Sequence, residues 1–557
     1  MIRRPPRSTH CISSAASDVY KRQIYGSIGF DGSSRESYIH DASATLFIDG
    51  EHVCSIQEER LSGLKYDGRY PEKSIDYVLD ELPKEEIDLV IFVDIGLQEW
   101  VKEHMFKGKP HKFLQEVFPN ADVGYISHHQ AHAYSSIFSQ EANEGVCIVI
   151  DGGGSHNWTR QVSLGLEKCS LVYFNKRKNQ FRYLPFNGEW GLLYQTWAHY
   201  IYCKKTKQKI EFNDPLYHCS MSGKIMGLAA YGSNRHNTKL YQFGEYFPQV
   251  QFDMRDPDPY PLTPEEKAQL LQYNFEESLI ELILRLDEDY LEPVVCLTGG
   301  TFLNINANTK IVQKFKNRKF HITPFVSDCG LSYGAAAFGS SLWHDVKVPP
   351  DLAFLGRRYL TPRELPTNEV FANMDGGVGG SWSQVKEEEF DLKKVAEYLE
   401  DGKIVAWYRG RSEFGPRALG NRSILMSPKY KENKDILNEK VKHREEWRPF
   451  AGVILKDHLQ DYFEEGIESP YMLYSQTVKE DKRDKIPAIT HVDNTCRIQT
   501  VESGFLSLLL EEYYKISGVP VLLNTSFNDN GKPIVETPQD AIDSFLNMNI
   551  DLSLIHI

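Results

Sequence analysis

From Ile24 to about Trp343, short apolar runs alternate with longer amphipathic stretches. ATLFID (44–49), IDLVIFVD (87–94), GVCIVIDGGG (145–154) and PVVCLTGGT (293–301) have apolar cores too short for a helix and lead into Asp or Gly-rich turns, so they read as buried strands. Strands separated by helical stretches predict an α/β domain with mixed sheets over 24–345. The stretch beginning VKVPPDLAFLG, from Val346 to residue 390, is rich in Pro, Gly and polar residues and reads as a connector. From Asp391 the pattern restarts with a helix (DLKKVAEYLEDG), a strand (KIVAWYRG) and later the apolar strand VPVLLNTSF, giving a second α/β domain over 391–551. Residues 1–23 and 552–557 resemble translated sequencing adapter and are read as non-native, with a mitochondrial-type presequence as the rival reading of the first stretch.

Composition narrows the function classes. With 63 Lys and Arg against 77 Asp and Glu, the net charge of −14 argues against nucleic-acid or anionic-membrane partners, though it allows a local basic pocket. No apolar run reaches the length of a membrane span. The nine cysteines contain no CxxC pair, so a zinc ribbon is not expected, and several in apolar runs read as reduced, buried residues of a cytoplasmic protein.

In SHHQAHAYSS, His128 and His132 are four residues apart and share a helix face where both imidazoles could bind one metal. The HExxH pattern is not met, because His129 follows His128 and no Glu lies between the pair. Asp151, closing the IVID strand ahead of Gly152 and Gly153, could join them, as could Asp328 at a strand-to-Gly turn, where a helix N-cap is the alternative. Gly-rich segments also fit nucleotide binding: Gly152 and Gly153, GKIMGLAAYG with Lys224 and Gly227, and CLTGGTFLNINAN with Gly299, Gly300 and Asn304. His40 beside Asp41 offers a general base, or else a structural turn.

The second domain concentrates guanidinium groups in Gly- and Pro-containing loops. YRGRSEFGPRALGNRS carries Arg409, Arg411, Arg417 and Arg422, and VKHREEWRPFAG adds Lys442, Arg444 and Arg448. Forked donors outside a helix face suit phosphate or carboxylate oxygens, and in an acidic chain they point to a small polyanion. Arg497, Ser526 and Asn528 would complete such a pocket.

Together these residues resemble the O-carbamoyltransferase family, which includes nodulation, cephamycin and aminoglycoside-tailoring carbamoyltransferases. HDASA, EER (58–60), SHHQAH, IDGGG, GKIMGLAAYG, GGTFLNINAN, SDCGLSYGAA, EFGPRALGNRS, VKHREEWRPFA, HVDNTCRIQTV and NTSFN occur in that order over nearly all of 24–551. The resemblance implies an actin-like, sugar-kinase-like ATPase-fold domain followed by a YrdC-like α/β domain. It implies that the second domain forms carbamoyl adenylate and pyrophosphate from carbamoyl phosphate and ATP, with Mg(II) accompanying ATP. The first domain would then pass the carbamoyl group to a small-molecule hydroxyl acceptor. Carried over by motif, His128, His132, Asp151 and Asp328 would hold a divalent metal, Fe(II) first, with Mn(II) or Zn(II) as alternatives. His40 would be the acceptor-side base, and Arg417, Lys442, Arg448, Arg497 and Ser526 would hold carbamoyl phosphate. Where relatives often have Glu after the glycines, this chain has Ser155, and the family would continue beyond IDLSL into a final strand. A homodimer is left open. The rival readings are a threonylcarbamoyl-transfer enzyme acting on tRNA, which the acidic charge disfavours, and a non-catalytic actin-like nucleotide-binding regulator, which leaves the arginine loops unexplained.

Overall fold

The structure, a computed structural model, describes residues 22–25, 40–80, 82–94, 110–152, 156–159, 162–166, 169–186, 188, 190–210, 215–233, 262–287, 294–359, 369–373, 385–389 and 391–556. Gly153 and Ser155, singled out above, lie outside the described residues.

The first domain is a repeat of one topology. Strands β1 (Arg22–Tyr25), β2 (Ser43–Ile48), β3 (Glu51–Gln57), β4 (Leu89–Asp94) and β5 (Asp122–Ser127) form a sheet in the order β3-β2-β1-β4-β5. In it β1, β2 and β3 pair antiparallel, while β4 and β5 run parallel to β1. After β6 (Glu144–Ile150) and a small hairpin of β7 (His156–Thr159) and β8 (Val162–Leu166), the chain adds β9 (Cys169–Asn175), β10 (Gln180–Phe186), β11 (Val294–Thr298) and β12 (Lys319–His321). Their order, β10-β9-β6-β11-β12, repeats the first, again with an antiparallel meander and two parallel strands. This paired five-strand arrangement is the actin-like fold that the sequence resemblance implied.

Each repeat ends in a helix that follows its last strand, His128–Ile137 in the first and Leu331–Ser341 in the second. The first starts at Ser127 because SHHQ closes a capping box, with the Ser127 hydroxyl accepting from the Gln130 amide at 3.2 Å and the Gln130 side chain accepting from the Ser127 amide at 3.0 Å. The two helices pack backbone to backbone at Gly334, where a Cβ would lie 1.9 Å from the Ala131 carbonyl oxygen. Their N-terminal ends therefore meet in the cleft between the repeats.

The second domain is a nine-stranded mixed sheet: β13 (Glu369–Asn373), β14 (Val385–Glu389), β15 (Val405–Arg409), β16 (Arg422–Met426), β17 (Ala451–Leu455), β18 (Ser475–Thr477), β19 (Thr495–Val501), β20 (Val521–Ser526) and β21 (Leu552–His556). Their order is β14-β13-β21-β15-β16-β20-β17-β19-β18. Three boundaries differ from the sequence reading, the first at Arg22 and Gln23, which are set aside above with residues 1–23 and pair in β1 with β2 and β4. The stretch read as a connector supplies β13 and β14, and Leu552–His556, set aside above, pairs parallel to β15. Charged VKEEE at the sheet edge lacks the apolar core that marks the other strands, as edge strands often do. Residues 346–356 are built into the fold: Leu352 and Leu355 join the core of the first domain, and Ala353 packs with Leu419 and Ala451 of the second.

Cys54, Cys147, Cys296, Cys329 and Cys496 are buried thiols. Among the described residues no helix is long and apolar enough to cross a membrane.

Candidate active site

His128 and His132 occupy the first two turns of their helix and face the same way, their ring centroids 4.8 Å apart. Asp151 follows β6, and Asp328 opens the turn before the second helix. These four side chains come from the two repeats, and one donor atom from each lies within 4.8 Å of all the others. His128 Nε2 is 3.1 Å from Asp151 Oδ2, and His132 Nε2 is 3.2 Å from Asp328 Oδ1. Burial pushes both carboxyls up, but the His128 hydrogen bond and the neighbouring imidazoles outweigh it at Asp151, holding that group well below the usual carboxylate range. Asp328 is also held below its ordinary value: burial and Asp151 raise it, and His128 and the His132 hydrogen bond more than offset them. Two imidazoles and two ionised carboxylates in a buried cluster suit a divalent transition metal such as Fe(II), Mn(II) or Zn(II).

His40 stands at the edge of this cluster, its Nδ1 3.3 Å from Asp41 Oδ2 and 3.9 Å from Asp328 Oδ2. The Gly299–Gly300 turn serves the cluster as well. The Gly300 amide donates to Asp151 Oδ1 at 2.8 Å, so Oδ2 is the oxygen presented to the histidines. Gly299 has φ +101° and a Cβ there would sit 2.2 Å from the Ile150 carbonyl oxygen, which restricts the position to glycine. Asn304 caps a helix and exchanges two hydrogen bonds with Gln272. The two groups read above as phosphate and ribose contacts thus have protein partners, while Gly152, Gly300 and Asn304 line the cavity.

Lys224 and Gly227 lie where the two domains dock. Lys224 Nζ is 2.9 Å from Glu445 Oε1, which also accepts from the Tyr202 hydroxyl at 2.7 Å. The Lys224 carbonyl accepts from Trp447 Nε1, the Gly227 carbonyl bonds His491 Nε2 at 2.9 Å, and Pro449 packs where a Gly227 side chain would project. The helical GKIMG segment is an interdomain contact as well as a cavity wall.

Of the four arginines in 409–422, only Arg417 lines the cavity. Arg422 is fully buried, stacked 3.7 Å from the Tyr408 ring centroid and bonded to four backbone carbonyls. Arg411 binds the carbonyls of Gly356 and Val53, and Arg409 covers Phe505. Arg417 is joined in the lining by Arg444, Arg448, Arg497, Ser526 and Asn528. Burial, with Arg448 beside it, pushes the Arg417 guanidinium down to about 10, and burial with Arg417, Arg444 and Arg448 pushes Arg497 well down. The Nε atoms of Arg417, Arg444 and Arg497 are buried and have no hydrogen-bond partner among the described residues. A concentration of like charge with unsatisfied donors is the signature of an anion site. Lys442 differs from its expected place. Its ammonium donates to the carbonyls of Ser526 at 2.7 Å and Asn528 at 2.8 Å and to Asn528 Oδ1 at 3.0 Å, so it shapes the loop behind the lining.

A single cavity of about 1380 Å³ is lined from both clusters, by His40, His128, Asp151 and Asp328 of the one and by Arg417, Arg448 and Arg497 of the other. Sequence reasoning passed over Lys65 and noted Glu59 only within the EER motif, without a role; both also line it. Neither stands in a spacing that signals a ligand, and only the fold of the EER turn against 65–66 brings them there, with Glu59 Oε2 accepting from the Tyr66 amide at 2.8 Å.

Comparison with known proteins agrees in both domains. The family description Carbamoyltransferase N-terminus matches residues 33–120 and 236–337, and Carbamoyltransferase C-terminus matches residues 396–556. Nodulation protein NolNO of Sinorhizobium fredii is 29% identical over 571 residues, covering 92% of this chain and 78% of that protein. Nodulation protein NolO of Bradyrhizobium diazoefficiens is 30% identical over 461 residues, covering 76% of this chain and 77% of the relative. Among solved structures, T. kodakarensis HypF is similar at 12% identity with a TM-score of 0.35, covering 58% of this chain and 48% of that one.

Proposed function

The chain belongs to the carbamoyltransferase family and is a carbamoyltransferase; within that family, we propose that it uses carbamoyl phosphate and ATP to carbamoylate a hydroxyl of a small-molecule acceptor. The observation that carries this reading is the shared cavity, whose lining includes both the arginine cluster and residues of the metal-type cluster.

At the arginine end, Arg417, Arg444, Arg448 and Arg497 bind the phosphoryl oxygens, and Lys442 holds the Ser526–Asn528 loop in place for them. Carbamoyl phosphate, water and ATP give carbamoyl adenylate, inorganic phosphate and pyrophosphate, so the charge released at this end is matched by the guanidinium cluster. At the other end, His128, His132, Asp151 and Asp328 would hold the divalent metal. When bound, it polarises the carbamoyl group as a Lewis acid. His40, steered by Asp41, takes the proton of the acceptor hydroxyl as that oxygen attacks the carbamoyl carbon, and AMP leaves.

Pyrophosphate release measured beside carbamoylated product tests the division of labour. Arg448→Ala is expected to slow carbamoyl-phosphate-dependent pyrophosphate release on the order of tenfold to a hundredfold. His128→Ala is expected to keep that release while transferring nothing. Loss of release in His128→Ala, or its retention in Arg448→Ala, refutes the assignment.

A further inference from the structure

Glu413 opens the loop that carries Arg417, yet it is buried to 1% exposure and is not part of the cavity lining. Its Oε1 accepts three backbone amides from the far side of the loop, Leu419 at 2.8 Å, Asn421 at 2.9 Å and Arg422 at 3.1 Å. The Leu419 carbonyl is held from the opposite direction by Gln499 Nε2 at 2.7 Å. Gln499 is itself oriented by Asn524, whose Nδ2 donates to Gln499 Oε1 at 2.9 Å. Gln499 lies on β19 two residues after Arg497, so the two share a face of the strand.

Residues 414–421 contain no helix or strand that could fix their register. The loop nevertheless presents Arg417 toward Arg497 against their mutual repulsion. Its register therefore comes from side chains that grip its backbone on both sides of Arg417: Gln57 and Arg60 hold the amide and carbonyl of Gly415 before it, and Glu413 and Gln499 hold the amide and carbonyl of Leu419 after it. We propose that Glu413 and Gln499 are positioning residues that fix Arg417 relative to Arg497 and so set the spacing of the carbamoyl phosphate site. This rests on the reading of the arginine end as that site. Glu413 acts through accepted hydrogen bonds, so an amide oxygen at the same place can substitute for its carboxylate.

The test uses the full chain and reads half-saturating carbamoyl phosphate and turnover in pyrophosphate release from ATP, with bound metal measured in parallel. Glu413→Ala and Gln499→Ala are expected to raise half-saturation by about tenfold to a hundredfold, because a displaced Arg417 guanidinium loses its charge-assisted bonds to the phosphoryl oxygens. Turnover falls less and metal content is unchanged. Glu413→Gln restores half-saturation to within about threefold of the parent, since it retains the acceptor. Adding Glu413→Ala to Arg417→Ala weakens binding little further, because both act through one guanidinium. If Arg417→Ala weakens carbamoyl phosphate and Glu413→Ala and Gln499→Ala leave half-saturation unchanged, the inference falls while the site stands. If Arg417→Ala itself leaves half-saturation unchanged, the reading of the site falls with it. Should Glu413→Ala not fold, Gln499→Ala decides the same question.

Discussion

Replacing Gly334 with Ala puts a methyl group between the two helices whose ends carry His128, His132 and Asp328. The added carbon would lie 1.9 Å from the Ala131 carbonyl oxygen and 2.6 Å from the Ser135 amide nitrogen, both backbone atoms that no rotamer change can move. Restoring ordinary contact requires the helices to part by about 1.5 Å. His132 is the next residue after Ala131, and its Nε2 stands 3.2 Å from Asp328 Oδ1 across that same interface. Overpacking costs about 1–3 kcal/mol, whereas Ala in a helix interior returns about 1 kcal/mol relative to Gly, so stability falls by no more than about 2 kcal/mol. Metal affinity should fall more, on the order of tenfold to a hundredfold, as when ligand-orienting contacts are lost. Chelator-stripped protein titrated with Mn(II) against a fluorescent competitor gives that affinity, and thermal unfolding gives the stability. Gly223→Ala, on a helix where an added methyl meets nothing within 4 Å, controls for propensity and should leave affinity at the parental value. Affinity within threefold of the parent, with stability equal or higher, would show that the helices yield without disturbing the ligands and would refute the reasoning.

Other expectations follow from single contacts. Arg422→Lys exchanges a stacked guanidinium with four carbonyl partners for a point charge, and is expected to lower stability in urea by about 3 kcal/mol with half-saturation little changed. Glu445 is raised by burial but lowered further by Lys224 and Tyr202, which hold it at about 2 against an ordinary 4.5. Its contribution to docking is therefore complete above 4.5 and is lost as pH falls toward 2, so Glu445→Gln should flatten the acid side of the stability profile in that window. His40→Ala should reduce transfer about tenfold more than Asp41→Ala, because the base must reach the acceptor proton and its neighbour only orients it; pH–rate profiles of both variants with equal losses would instead make the turn structural.

The cluster of His128, His132, Asp151 and Asp328 was legible because helical spacing and strand-to-Gly turns are local signals, and the repeated topology then brings them together. The roles of the glycine-rich turns were not. A Gly-Gly pair after a strand looks the same whether its amide faces a phosphate or, as Gly300 does, a neighbouring carboxylate. Arginines in a loop carry no periodicity, so sequence could not tell Arg417, which faces the cavity, from Arg422, which is bonded to the carbonyls of Arg409, Gly410, Asn421 and Glu536. Lys224 and Glu445 are more than two hundred residues apart, and nothing local marks either as the other's partner.

The stretch at 346–356 has the look of a seam, and a protein engineer would choose it to divide the gene into two independent halves. Its position argues otherwise. Leu355 gives its carbonyl to the Ser55 amide, Ala353 gives its carbonyl to the Phe414 amide, and Leu352 and Leu355 sit in the core beneath β2. A cut there would leave each half with an open apolar trough and unpaired backbone groups where this segment had lain. Co-expressed pieces would have to rebuild that wedge before either regained its shape, so lineages carrying this architecture should resist gene fission at this point and tolerate insertions elsewhere.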